Sequence, residues 1–158
     1  MVWLKTPTVE GNEFSWLTEE GSLTERLKKE FHDVKVDVIY EGKDSEEKSN
    51  YKREVIIKSY DQPMIFARTL LKDSDLKVTW SCIKELGQQS LANILFKDPD
   101  ISRRSLLYQV CQSYDPLNLY LKSLDLIDQE IVWQRKSEWE KNGKVLLLIE
   151  VFLPNLFI

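Results

Sequence analysis

The sequence predicts an α+β domain built on a largely antiparallel sheet of about six strands. Three observations predict it. Segments with period-two alternation of apolar and polar residues recur along the chain, as strands require. Turn signals such as Asp61-Gln62-Pro63 and Asn142-Gly143 join neighbouring segments into hairpins. Stretches of helical period separate the hairpins.

Ser22-Leu23-Thr24-Glu25 is a capping-box pattern. Leu23, Leu27 and Phe31 follow at helical spacing and predict a short helix. Val34, Val36, Val38 and Tyr40 alternate with Lys35, Asp37 and Ile39, which predicts a half-buried strand. Residues 41–50 are charged and polar and read as an exposed loop. Residues 53–60 and 64–71 read as a hairpin. From 73 to 96 the period becomes helical. Leu76, Trp80 and Ile83 line one face, Gly87 is a helix stop, and Ser90 caps a second short helix carrying Leu91, Ile94 and Leu95. This helix-turn-helix pattern lacks a basic recognition face. Residues 105–111 predict a strand, and Asp115-Pro116 opens a helix containing Leu117, Leu119, Leu121 and Leu124. Residues 131–140 and 144–153 form the last hairpin.

The chain has 158 residues, enough for one domain spanning 1–158 with a real core. Its 42% hydrophobic and 30% charged residues are an ordinary globular balance. A net charge of −4 and a pI of 5.2 argue against nucleic-acid or anionic-membrane binding. No apolar run approaches the roughly 20 residues that span a bilayer. The start, Met-Val-Trp-Leu-Lys-Thr-Pro, lacks the pattern of a secretory signal, so a cytoplasmic protein is expected. A monomer is the simplest expectation. Cys82 and Cys111 form no metal or redox motif. Two buried free thiols fit a cytosolic setting, and a disulfide is the alternative. His32 is the only histidine, which argues against a zinc site. A Ser-His-Asp mechanism would have to use it.

Charged residues on apolar strand faces are the candidates for function. Val145 to Leu153 reads Val-Leu-Leu-Leu-Ile-Glu-Val-Phe-Leu, with Glu150 the only polar residue. Leu146, Leu148, Glu150 and Phe152 share one face. The opposite face is apolar too, which marks a central, covered strand. A carboxyl there must be paired, hydrogen-bonded or protonated. If Asn142-Gly143 forms a two-residue turn, Lys141 faces Lys144 and Arg135 faces Glu150. That ion pair is the structural explanation of Glu150, and a one-residue slip abolishes it. Arg53 shares a face with Val55 and Ile57. It either meets an anionic ligand, pairs with an internal acid, or extends along the sheet edge. Arg68 shares a face with Met64, Phe66 and Leu70, and a structural ion pair is its expected role. The helix start at Ser90-Leu91 offers backbone N–H groups suited to a carboxylate.

Several segments occur in an order that resembles one family. They are Trp16-Leu17, Gly21-Ser22-Leu23-Thr24, Arg53-Glu54-Val55, Phe66-Ala67-Arg68-Thr69, Leu86-Gly87 followed by Ser90-Leu91 and Leu95-Phe96, Arg135-Lys136-Ser137, and the run from Leu147 to Pro154. Together they resemble the chorismate lyase family of ubiquinone biosynthesis. The resemblance implies helical flaps over a buried ligand pocket. It also implies cleavage of chorismate to 4-hydroxybenzoate and pyruvate with no metal or organic cofactor. Arg53 matches the family arginine on the ring carboxylate, and Leu91 the position whose backbone N–H binds that carboxylate. Glu150 matches the acid at the oxygen-bearing end of the ligand. Leu23 matches a flap position that contacts ligand through its backbone, where the family often has Met. Arg53 and Glu150 would be catalytic, with Arg68 and Arg135 as supporting charges. Apolar surroundings would raise the Glu150 pKa for proton transfer.

The chain departs from the family pattern in places. The family frequently has Pro-Leu-Gly at Ser90-Leu91-Ala92, and Arg-Arg-Ser at Arg135-Lys136-Ser137. The polar loop before Arg53 is shorter, and residues 115–130 look like an added helix. These changes bear on flap motion and product release more than on Arg53 and Glu150. A second class of function is a non-catalytic aromatic-carboxylate sensor, since repressor effector-binding domains share the general architecture. No basic DNA-binding segment precedes it here. A purely structural interaction protein leaves the buried acid and Arg53 without purpose.

Overall fold

The computed structural model describes residues 2–158. Its strands are β1 (Val34–Lys43), β2 (Asn50–Ser59), β3 (Gln62–Lys72), β4 (Ile101–Cys111), β5 (Val132–Lys141) and β6 (Lys144–Phe152). Its helices are α1 (Gly11–Leu17), α2 (Leu23–Glu30), α3 (Asp73–Leu76), α4 (Ala92–Leu95) and α5 (Pro116–Ser123). The strands form one sheet in the order β1-β2-β3-β6-β5-β4, with every neighbouring pair antiparallel. Two three-stranded meanders, β1-β2-β3 and β4-β5-β6, therefore join edge to edge through β3 and β6. This is the α+β architecture that the hairpin pattern predicts.

The two faces of the sheet carry different layers. One face packs Ile57, Ile65, Trp133 and Phe152 against Trp16 and Leu17 of α1 and Leu23 and Leu27 of α2. The same face, nearer the other end, packs Val55, Ala67 and Leu148 against Leu76, Trp80, Ile83, Leu91 and Leu95 of the long β3–β4 connection. The opposite face packs Ile56, Phe66, Val132 and Val151 against Leu121 of α5 and Ile127. Burial there is less complete than the apolar sequence of β6 suggests, since Leu147 and Ile149 are only half-buried.

Several boundaries differ from the sequence reading. α1 is absent from it: Gly, Asn and Ser give this segment weak helix propensity, and α1 has no side-chain N-cap. Burial of Trp16 under the Arg26 guanidinium, 4.0 Å from the ring centroid, holds it instead. The helix expected beyond Asp73 stops at Leu76, and a 3₁₀ turn, Ser81–Glu85, follows. The β-branched pair Val78-Thr79 disfavours continuation, yet Leu76, Trp80 and Ile83 are all buried as their spacing implies. Gly87 sits at φ +57°, the left-handed conformation of a helix stop. The helix after Asp115 ends at Ser123 rather than running on to 130. β4 begins at Ile101, four residues earlier than its alternation shows. A bulge between Arg103 and Ser105 breaks the period. β1 also continues to Lys43, into the expected loop.

α5 docks through polar groups as well as leucines. The Tyr120 hydroxyl donates to Glu54 Oε1 at 2.7 Å, and Arg68 Nε donates to Glu54 Oε2 at 2.7 Å. Glu54 is 1% exposed, so these partners satisfy a carboxylate that water does not reach. Burial and the bond to Glu54 push the Tyr120 hydroxyl up to about 12. Burial, then the charge of Asp115, pushes the Cys111 thiol up to about 11. Both cysteines are free; Cys111 is buried and Cys82, against the sequence reading, is only partly so. Ellman titration of the native protein should count one thiol, and a second only on unfolding. The unfolded chain ionises these groups at their ordinary, lower values, so it binds fewer protons at alkaline pH. Stability should therefore fall as pH rises from about 8.5 toward 12, by on the order of 1–3 kcal/mol. Urea midpoints that stay level from pH 8 to 11 would contradict this.

Candidate active site

The register of the sheet places the candidate residues in two adjacent rows. Arg53, Thr69, Leu148 and Ser137 pair in turn across β2, β3, β6 and β5. Val55, Ala67, Glu150 and Arg135 form the next row. Arg53 and Glu150 are thus two strands and one side-chain repeat apart, roughly 12 Å at Cα from standard sheet spacings. The residues between them, Ala67 and Thr69, are small. Room is left above them.

That room is a cavity between the sheet and the segments that cover it. Arg53, Arg135 and Glu150 line it, as do Leu23 of α2 and Leu91 before α4. Trp139 supplies an aromatic wall. Its indole N–H donates to Ser137 Oγ at 2.9 Å, and Phe96 packs edge-on at 5.3 Å. The two covering segments meet above it, where the hydroxyls of Thr24 and Ser90 lie 2.8 Å apart.

Arg53 is 2% exposed and has no carboxylate partner among the described residues. Nη2 donates to the backbone carbonyls of Gln89 at 2.7 Å and Gly87 at 3.3 Å. Nε is buried without an acceptor. Burial lowers the guanidinium pKa, and Tyr51 and then Glu41 oppose that shift; the group stays a cation regardless. No internal acid forms the ion pair that the sequence left open for it among the described residues; Glu41, across from it on β1, bonds to the Tyr51 hydroxyl instead. The carbonyls it does hold belong to the segment leading to Leu91, so Arg53 also sets where the Leu91 amide lies. That amide has no protein acceptor among the described residues. α4 is only four residues long, so the amide itself rather than a helix dipole is what this segment offers.

Glu150 is not alone. Arg135 Nε donates to Glu150 Oε1 at 2.7 Å, in the register that the two-residue turn implies. Arg135 Nη1 donates to the backbone carbonyls of Leu17 at 3.0 Å and Glu19 at 2.7 Å. The pair is buried and ties β5 and β6 to the segment between α1 and α2. Arg68 does not join this site. Glu54 pairs with Arg68 in the sheet, which puts both on the opposite face under α5.

Sequence reasoning missed some of the surroundings. Thr24 and Ser90 each read as part of a cap, and nothing local reveals that their hydroxyls meet. Arg103, near the Glu150 end, lies outside the strand that alternation shows. Leu23 and Leu91, by contrast, both line the cavity. No helix is long and apolar enough to cross a membrane among the described residues.

Known proteins resemble this chain along its length. Residues 1–158 match the family described as chorismate lyase. A probable chorismate pyruvate-lyase 2 of Pseudomonas entomophila is 34% identical over 163 residues, covering 95% of this chain and 84% of that protein. A probable chorismate pyruvate-lyase of Psychromonas ingrahamii is 34% identical, covering 94% of this chain and 87% of that protein. Among solved structures, the C-terminal domain of the histidine utilization repressor of Pseudomonas syringae superposes with a TM-score of 0.58 at 9% identity, over 79% of this chain and 94% of that one. At that identity the likeness is one of fold alone. The match over the full length, together with relatives of this similarity, establishes that the chain belongs to the chorismate lyase family.

Proposed function

We propose that this chain cleaves chorismate to 4-hydroxybenzoate and pyruvate, the step that feeds an aromatic acid into ubiquinone biosynthesis, in the cytoplasm. The observation that carries this reading is Arg53: a buried guanidinium with an unused Nε, lining a cavity whose far end holds Glu150. A buried cation with no carboxylate in salt-bridge reach among the described residues is suited to an anionic ligand. The named relatives supply the substrate class.

The reaction needs little from the protein beyond position and a proton carrier. The ether bond from the ring to the enolpyruvyl oxygen breaks, and the ring proton on the neighbouring carbon leaves as the ring aromatises. The enolpyruvate takes up a proton and becomes pyruvate. Atoms balance without water, redox partner or cofactor. Arg53 and the Leu91 amide grip the ring carboxylate and orient the ring. Glu150, steadied by Arg135, assists proton transfer near the departing ether oxygen. The covering segments, with Leu23 and Leu91 on their inner sides, act as flaps that exclude water and slow product release.

The test is direct. Purified protein mixed with chorismate should generate the absorbance of 4-hydroxybenzoate. Tight binding of 4-hydroxybenzoate with no turnover would favour the sensor reading. The flap role makes a separate prediction. Thr24→Val removes the hydroxyl contact with Ser90, a bond of about 0.5–1.5 kcal/mol net. Hydrogen exchange in residues 21–30 and 87–95 should quicken about two- to tenfold, with product released faster. Unchanged exchange in both segments would dismiss the contact as a latch.

A further inference from the structure

Arg103 lies beside the cavity, outside its lining, and its guanidinium holds the Glu20 carbonyl next to the Glu19 carbonyl that Arg135 holds. It is half-buried on β4 opposite Trp139. Its guanidinium lies 5.2 Å from the Trp139 ring centroid, and Nη2 donates to the Glu20 carbonyl at 2.8 Å. Glu20 directly precedes Gly21, which lines the cavity. No carboxylate lies within salt-bridge distance of Arg103 among the described residues, and its remaining donors have no protein partner.

The bulge explains how it gets there. Arg103 pairs with Trp139 and Ser105 with Glu138, leaving Arg104 extra. Beyond the bulge, Leu106 and Tyr108 pair with Ser137 and Arg135 on the cavity face. With regular alternation Arg103 would lie on the face opposite to Leu106 and Tyr108. The inserted residue returns it to the cavity face, a typical way in which bulges re-aim side chains near sites.

A guanidinium without an ion-pair partner at this end suits an anion. Glu150 pairs with Arg135, and the Glu20 carboxylate acts on Arg103 only from beyond salt-bridge distance. Burial first, then Arg135, lowers the Arg103 pKa, while Glu150 and then Glu20 oppose the shift. Arg103 therefore holds no carboxylate of its own among the described residues. Chorismate carries a second carboxylate on its enolpyruvyl arm, attached next to the ring position that Glu150 faces. Its product 4-hydroxybenzoate does not carry that carboxylate.

We infer that Arg103 receives the enolpyruvyl carboxylate of chorismate, between Trp139 and the Glu20-Gly21 backbone, so that the two ends of the dianionic substrate meet two separate arginines. This rests on the chorismate-cleaving reading. It makes Arg103 a substrate-binding residue that the product ignores. It also gives the flap a reason to respond to substrate, because the same guanidinium holds the Glu20 carbonyl just before α2.

The experiment is a comparison of two ligands on Arg103→Gln and Arg103→Lys. Charge-assisted hydrogen bonds of this kind are worth about ten- to a hundredfold. In Arg103→Gln, KM for chorismate should rise by about that factor, while the calorimetric Kd of 4-hydroxybenzoate stays within about twofold of wild type. Arg103→Lys keeps the charge without the fork and should fall between. It serves alone if the glutamine variant does not fold, as judged by thermal melting. Equal weakening of both ligands, or an unchanged KM, overturns the assignment and leaves Arg103 a structural residue. Failure of the wild type to consume chorismate overturns the activity itself, which this ratio does not address.

Discussion

Glu150→Gln is expected to lower chorismate turnover by about 10²–10⁴-fold, the usual cost of removing a proton-transfer group. Glutamine keeps the size of the side chain and an oxygen that accepts from Arg135 Nε. The carbonyls of Leu17 and Glu19 still hold Arg135 Nη1. The fold should therefore persist. Its melting temperature should nevertheless drop, because Arg135 stays charged and buried after its counter-charge has gone; outright removal of a partner in such pairs costs about 3–5 kcal/mol, and retention of an acceptor keeps the loss below that. Affinity for 4-hydroxybenzoate should change far less than turnover. Near-normal turnover in this variant would end the proton-transfer role and reduce Glu150 to a structural partner of Arg135.

Arg53→Ala should weaken 4-hydroxybenzoate binding by about 30- to 5,000-fold, from the 2–5 kcal/mol that a truncated, buried charge contact typically costs. Two contacts are lost together. The guanidinium goes, and with it the bonds that hold the carbonyls of Gly87 and Gln89 and so set the Leu91 amide. Arg53→Lys separates these effects in part: it restores a charge, but not a planar fork able to hold a carboxylate and those carbonyls at once. Its affinity should recover only in part. An unchanged Kd for Arg53→Ala in calorimetry would remove Arg53 from the site, whatever the activity of the wild type.

The two variants probe opposite ends of one cavity, and they should separate kinetically. Loss at Arg53 appears mainly in binding, because the ring carboxylate is present in substrate and product alike. Loss at Glu150 appears mainly in turnover, because proton transfer belongs to the reaction alone. Arg103 completes the set as the position expected to be sensitive to substrate but not to product.

How far the sequence reached depended on whether the deciding interaction was local. The partnership of Arg135 with Glu150 was legible, because Asn142-Gly143 makes a two-residue turn and the register follows by counting outward from Lys141 and Lys144. The hairpins and the Ser22 cap, whose hydroxyl accepts from the Glu25 N–H at 3.2 Å, are local in the same way. Arg53 and Arg68 read alike, each a cation on an apolar strand face. Only the pairing of β2 with β3 separates them: Arg53 shares the cavity face with Ala67 and Thr69, and Arg68 joins Glu54 behind the sheet. α1 forms because Trp16 finds a buried place, not because its residues favour a helix. Arg103 reaches the cavity face of the sheet through a bulge that breaks the alternation a reader of strands depends on. The residues and their local periods are thus properties of the chain. Which face meets which, and whether a buried charge finds an internal partner or waits for a ligand, is decided by contacts between segments far apart in sequence, and those exist only once the sheet has closed.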